Sequence, residues 1–430
     1  MTALPATTPA LAQPLGRART ASRVGPLDFV LLSYPLWWAL GAGYFVWPLL
    51  TFPLLASMFM RGRMRLSPAF GLWLLFIGWM LVSGTQLEQT SFAYVWRALM
   101  YLSATVLFLY VYNSDARELP ARAIVIVLAL FWAEIVIAGL IGAMLPRVSF
   151  RAPLAGLVPG EFRNDDLVRA TLNPGLSDVM TILGYPVGRP KALFAYTNQW
   201  GACAALLAPF AVAAFAYLRR PLQRQALGLC VVLSIVPFVV SLNRGVWIAL
   251  GIAVLYAILR LARPSHGRAV VVGAVILLAG AAMVKTTPLG GLAHDRVVHD
   301  SDSTDTRLSL YASVVEQVRE APLLGAGSPS NRTAEGTAPP VGTQGQIPLL
   351  AYSHGLPGLL LFLMWFAHAG LRSARVTSPA RFSAHVALVI AVLLMPYYSL
   401  LPVALHAVMV AAALALRDVF RPEASAASLR

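Results

Sequence analysis

The sequence predicts an all-α polytopic membrane protein of about 12 transmembrane helices, with both termini cytoplasmic and two long outward-facing loops. Three observations predict it. The 430 residues are 58% hydrophobic and only 12% charged, too little charge to cover a soluble surface of that size. Apolar runs of about 18 residues or more recur along the whole chain, the length that crosses a bilayer as a helix. A spanning barrel would instead show short alternating strands. The positive charge also alternates by segment. Its excess, +15 from 33 Lys+Arg against 18 Asp+Glu, therefore reads as a topology signal rather than a nucleic-acid surface.

The elements follow in order. A cytoplasmic tail occupies 1–26, and an N-terminal transmembrane bundle, 27–144, holds spans at 27–41, 43–60, 68–85, 93–112 and 121–144. The first long outer loop is 145–198. Core helices fill 199–285, with spans at 199–218, 226–241, 245–261 and 269–285. The second long outer loop is 286–346. C-terminal helices occupy 347–417, with spans at 347–369, 384–398 and 401–417, before a cytoplasmic tail at 418–430. Twenty arginines fall in the segments on the side of the termini, two or three in each, among them Arg61, Arg63, Arg65, Arg219, Arg220 and Arg224. The positive-inside rule makes that side cytoplasmic.

Both outer loops are too long to be simple connectors. Within the second, "RLSLYASVVEQVREAP" (307–322) repeats Leu308, Tyr311, Val314, Val315 and Val318 at helical spacing, which predicts an amphipathic helix on the outer membrane face. Its Gly-, Pro-, Ser- and Thr-rich tail reads as irregular. The cations that remain on the outward side stand at breaks. Arg189 and Lys191 precede the span at 199, Arg244 sits in the tight turn "SLNRGVWIAL", and Arg307 opens the amphipathic helix. A lone arginine there is most simply a helix anchor snorkelling to headgroups. Several together favour an anion site, since the guanidinium fork matches phosphate oxygens.

Other candidates are weaker. "HDSDSTD" (299–305) lacks the glycine and glutamate of a calcium loop and reads as a solvated loop. Likewise "GEFRNDD" (160–166) reads as a solvated turn. His294 and His299 have no supporting ligands, so no metal site and no cofactor are expected. Cys203 and Cys230 sit in separate apolar segments as small core residues. His354, in "LLAYSHGLPGLL", lies within the span at 347, about 12 Å below the outer surface at 1.5 Å per residue, beside a Gly–Leu–Pro–Gly kink. Gly345 and Gln346 read as a flexible polar strip at a cavity mouth.

The order of these motifs resembles the O-antigen ligase and O-antigen polymerase superfamily of membrane GT-C-like glycosyltransferases. Its Arg-Pro loop and aromatic–x–x–x–Asn helix start are matched in "GRPKALFAYTNQWG" by Arg189, Pro190, Phe194 and Asn198. Its Ser–x–x–Arg–Gly turn is matched by Ser241, Arg244 and Gly245. Its Arg-led amphipathic helix, ending in Pro–x–x–Gly–x–Gly, is matched from Arg307 to Pro322, Gly325 and Gly327. The resemblance covers about 185–360. It implies transfer of a glycan from a polyprenyl-pyrophosphate-linked oligosaccharide donor to a glycan or glycolipid acceptor, at the outer (periplasmic or extracellular) face of the cell inner membrane. It implies a role for Arg189, Arg244, Asn198 and Arg307 in the site; together with the residues read above, the expected catalytic set is Arg189, Arg244, Gln344 and His354, and the expected substrate-binding set is Lys191, Tyr196, Asn198 and Arg307. The sequence departs from the family at Gln344, where a histidine is usual; glutamine cannot act as a base. Two other readings stay open: a flippase or transporter for a lipid-linked or anionic precursor, and a non-catalytic envelope scaffold. Against a transport path, spans 1 to 5 offer few polar residues beyond Glu88, Arg97 and Glu134.

Overall fold

The computed structural model describes residues 25–62, 64–87, 91–181, 185–261, 288–298, 302–329, 342–343, 345–376 and 378–417, with isolated positions 267, 271 and 282. Among the described residues, five helices are long and apolar enough to cross a membrane: Phe92–Asn113, Ala121–Met144, Pro221–Val240, Arg244–Leu261 and Gln346–Ser373. Shorter apolar helices cover Trp47–Met60, Phe70–Gln86, Pro379–Leu394 and Val403–Arg417. The chain is thus a mostly helical, multi-pass membrane protein. The expected span at 269–285 lies, but for two isolated positions, outside the described residues.

The first expected span is broken into α1 (Pro26–Leu32) and α2 (Tyr34–Leu40). Pro35 cannot donate the bond that would carry the helix across Ser33, and the Trp37 indole donates to Ser33 Oγ instead (2.9 Å). Next come α3 (Trp47–Met60), α4 (Phe70–Ser83), α5 (Phe92–Asn113) and α6 (Ala121–Met144). The first outer loop is more structured than its sequence suggests. A short helix, α7 (Asp166–Leu172), leads into an antiparallel hairpin of β1 (Ser177–Met180) and β2 (Val187–Pro190), with Asp178 opposite Arg189. Part of "GEFRNDD", read as a solvated turn, is a 3₁₀ helix, Gly160–Asn164. After the hairpin come α8 (Thr197–Ala214), α9 (Pro221–Leu233), α10 (Ile235–Val240) and α11 (Arg244–Leu261). Then follow α12 (Leu289–Val298), α13 (Asp302–Glu320), α14 (Gln346–Ser373), α15 (Pro379–Leu394) and α16 (Val403–Arg417).

The core is arranged around α16, every residue of which is buried. Its alanine-rich sequence, VALHAVMVAAALALR, lets α5, α8 and α15 approach closely, the usual solution for helices packed in lipid. By contrast α9 and α11 are covered on few residues and expose Leu229, Ile248, Leu255 and Leu259. An apolar surface left bare by protein suits lipid chains.

The amphipathic helix is α13. It starts at Asp302 rather than Arg307, so part of the "HDSDSTD" stretch expected to be loop is helical. Its buried stripe also differs from the expected one. Leu310 and Val314 are buried, while Leu308 and Val315 stay 59% and 51% exposed. Only one side of the helix meets α14, where Val314 packs on Ala351 and Tyr352 with Val318 beside them.

Candidate active site

Motifs that lie far apart in sequence meet at one end of the bundle. The hairpin brings Arg189 against the turn between α10 and α11. Its Nε donates to Ser241 O (2.7 Å) and its Nη2 donates to Asn243 Oδ1 (2.9 Å). Weaker contacts reach Asn198 Oδ1 and Met180 Sδ, each at 3.5 Å. Asn243 then donates from Nδ2 to Thr197 O (3.1 Å). Gly201, one turn into α8, allows this approach: a Cβ there would lie 2.5 Å from Asn243 Nδ2. Arg189 and Asn198 are therefore joined to the 241–245 turn. The arginine is buried, and much of its fork is taken up by the fold itself.

Lys191 is likewise engaged. Its Nζ pairs with Asp178 Oδ1 at 2.7 Å. Asp178 Oδ2 accepts from Thr197 Oγ1 (3.1 Å) and lies 3.4 Å from Thr197 N, satisfying an orphan donor at the start of α8. Tyr196, at the cap position of α8, is 41% exposed. Arg244 opens α11 and is half-buried. The side chain of Arg307 lies outside what is described, as does Gln344 altogether.

A second junction forms where α14 breaks. Gly355 has φ +65° and ψ −170° inside that helix, and the break frees backbone groups on both sides. Tyr352 O and Ser353 O accept from the N–H groups of Ala326 and Gly327, each at 2.8 Å, and Leu356 N donates to Pro322 O at 2.8 Å. The Pro–x–x–Gly–x–Gly segment thus docks into the kink. His354 sits just before the break and is 3% exposed. Its Nδ1 lies 2.6 Å from Ser83 Oγ, whose hydroxyl is also 2.7 Å from Met80 O. If that single proton goes to Met80, His354 Nδ1–H is the donor and Nε2 keeps the lone pair. The Trp79 indole donates to His354 O (3.1 Å) and Leu323 O (3.2 Å), tying α4 to the same kink.

The segment 396–402, between α15 and α16, gathers these parts. Gln346, expected on a flexible strip, is fully buried. It donates from Nε2 to Tyr101 Oη (2.8 Å), and its Oε1 accepts from Leu400 N (3.0 Å). That expectation is corrected: a side-chain amide with both ends bonded in the core fixes the start of α14 rather than loosening it. Tyr311 of α13 donates to Pro396 O (2.8 Å). Gln199 of α8 donates to Leu401 O (3.3 Å) and accepts from Tyr44 Oη. Tyr398 packs on Gly245, where a Cβ would lie 2.9 Å from its hydroxyl. Sequence reading missed Asp178, Asn243 as a bridge, Gln346 and this hub. Only Asn243 carried a local signal, its place beside Arg244 in the tight turn. Among the described residues no group of three or more His, Cys, Asp or Glu could hold a metal ion.

Residues 229–363 match the family model described as O-antigen ligase. The match runs from within α9 to Leu363 in α14, through the 241–245 turn, α13 and the break at Gly355. It supports assignment of the chain to the O-antigen ligase superfamily, the resemblance that the motifs carry. No curated protein matches the chain.

Proposed function

We propose that this protein is a membrane glycosyltransferase that polymerises or ligates a cell-surface polysaccharide. It takes a glycan from a polyprenyl-pyrophosphate carrier and passes it to a sugar acceptor at the outer face of the inner membrane. The observation that carries this reading is the meeting of Gln199, Gly245, Tyr311 and Gln346 on segment 396–402. Three of those four residues lie within the stretch matched to O-antigen ligase. Twelve spans with cytoplasmic termini put that end of the bundle outside, where a lipid-linked glycan is met without a nucleotide sugar.

An acceptor hydroxyl attacks the anomeric carbon of the donor, and the carbon–oxygen bond to phosphate breaks. The polyprenyl pyrophosphate leaves with the electron pair. Arg244 and Arg307 stabilise the charge that develops there, while Arg189 shapes the hairpin and turn that hold Arg244. Gln344 positions the acceptor by hydrogen bonds. The acceptor's proton passes to a leaving phosphate oxygen, so no strong protein base is needed. His354, buried and bonded to Ser83, positions the kink.

The test is side-specific labelling combined with turnover. Tags at residues 64, 222, 265 and 378 should report the cytoplasm, and tags near 165 and 335 the outside. Vesicles carrying the protein should elongate or transfer an outward-facing lipid-linked oligosaccharide. Translocation without transfer would favour the flippase reading, and neither would favour a scaffold.

A further inference from the structure

Arg97 lies six residues into α5, about 8 Å along the helix from its start. An arginine at that depth is usually paired or functional. Its Nη1 donates to Ser328 Oγ (2.9 Å), across 231 residues, and among the described residues that is its one hydrogen bond. The residue is only half-buried, so protein does not close off its fork completely. Among the described residues Asp165 forms no ion pair with Arg97; its Oδ1 caps α7 by accepting from Leu167 N and Val168 N. Ser328 uses its oxygen as the acceptor, and among the described residues its hydroxyl proton meets no acceptor. The guanidinium does not snorkel outward: it turns inward to the segment that docks on the α14 break, one residue after Gly327.

We infer that Arg97 and Ser328 form an additional binding point for the pyrophosphate of the lipid carrier, donating through the arginine fork and the serine hydroxyl together. This rests on the reading under Proposed function and extends it to a helix outside the matched stretch. With Arg189 and Lys191 largely committed to Ser241, Asn243 and Asp178, Arg97 is an outward-half cation with donors left over. A planar fork suits two oxygens of one pyrophosphate better than an ammonium does. The neighbouring surface suits a lipid rather than a free anion. One turn down α4 from Ser83, Trp79 lines an open apolar groove of about 530 Å³ with Gly71, Leu74, Leu75, Gly78 and Val82.

The experiment uses the full chain in detergent and follows its thermal unfolding midpoint with polyprenyl pyrophosphate, with inorganic pyrophosphate and with phosphatidylglycerol. The wild type should be stabilised by polyprenyl pyrophosphate. Arg97→Gln should weaken that binding about tenfold or more, as loss of a charge-assisted pair does. Arg97→Lys should weaken it less, and Ser328→Ala less again. If the glutamine variant does not fold, the lysine and alanine variants decide, and unchanged affinity in both overturns the inference. Normal binding by a folded Arg97→Gln protein overturns it alone. An Arg97-dependent shift equally large with phosphatidylglycerol also overturns it, making the residue a bilayer anchor. A shift as large with inorganic pyrophosphate would replace the lipid carrier by a free anion and overturn it too. No binding by the wild type would instead remove the carrier reading on which it rests.

Discussion

Replacing Gly355 by alanine should undock the loop that follows α13. At φ +65° and ψ −170° the backbone lies in a region that side chains with a Cβ almost never enter, at a cost of about 1–3 kcal/mol. The added Cβ would also lie 2.2 Å from Leu323 O, so the loop must retreat. Retreat breaks the bonds from Ala326, Gly327 and Leu356, each contributing about 0.5–1.5 kcal/mol. Together the change costs about 3–7 kcal/mol, enough to open the loop in most molecules. Trypsin added from outside should then cleave after Arg319 much faster, and transfer should fall with it. Gly370→Ala, where an added Cβ meets nothing within 4 Å, is the control and should be neutral or slightly stabilising, since alanine is the better helix former. Unchanged protease resistance in Gly355→Ala would refute the argument that this glycine holds the junction.

Three further outcomes are expected. Arg189→Lys keeps the charge but loses the fork that reaches both Ser241 O and Asn243 Oδ1, so the unfolding midpoint should drop by the equivalent of about 2–4 kcal/mol; an unchanged midpoint would return Arg189 to a purely substrate-facing role. Asp178→Asn weakens the start of α8 and releases Lys191, at about 1–2 kcal/mol in the same assay. Gln344→Ala should raise the acceptor KM with the protein's stability intact, whereas His354→Ala should lower stability; the reverse pattern would make His354 the group that meets substrate.

Much of the helical layout was legible because lipid imposes one long apolar signal per span. The partners in the site were less so. Arg189, Asn198 and the 241–245 turn could be named because each breaks an apolar run, but their mutual bonds depend on tertiary approach, such as that permitted by Gly201. Asp178 caps α8 from nineteen residues away, too far for a local capping pattern. Gln346 looked mobile beside Gly345 because its partners, Tyr101 and Leu400, come from helices and loops distant in sequence. The stripe on α13 was misjudged because periodicity gives a helix its apolar residues, and only α14 decides which of them are covered.

The central claim is that this chain makes a glycosidic bond and expels a lipid pyrophosphate. The most direct measurement incubates the purified protein, in detergent where no compartments exist, with a polyprenyl-pyrophosphate-linked oligosaccharide and an acceptor glycan. The account predicts one polyprenyl pyrophosphate released for each new glycosidic bond, with both products lost together in Arg244→Lys. Intact donor after prolonged incubation, from protein that still moves the same lipid across vesicles, would contradict it.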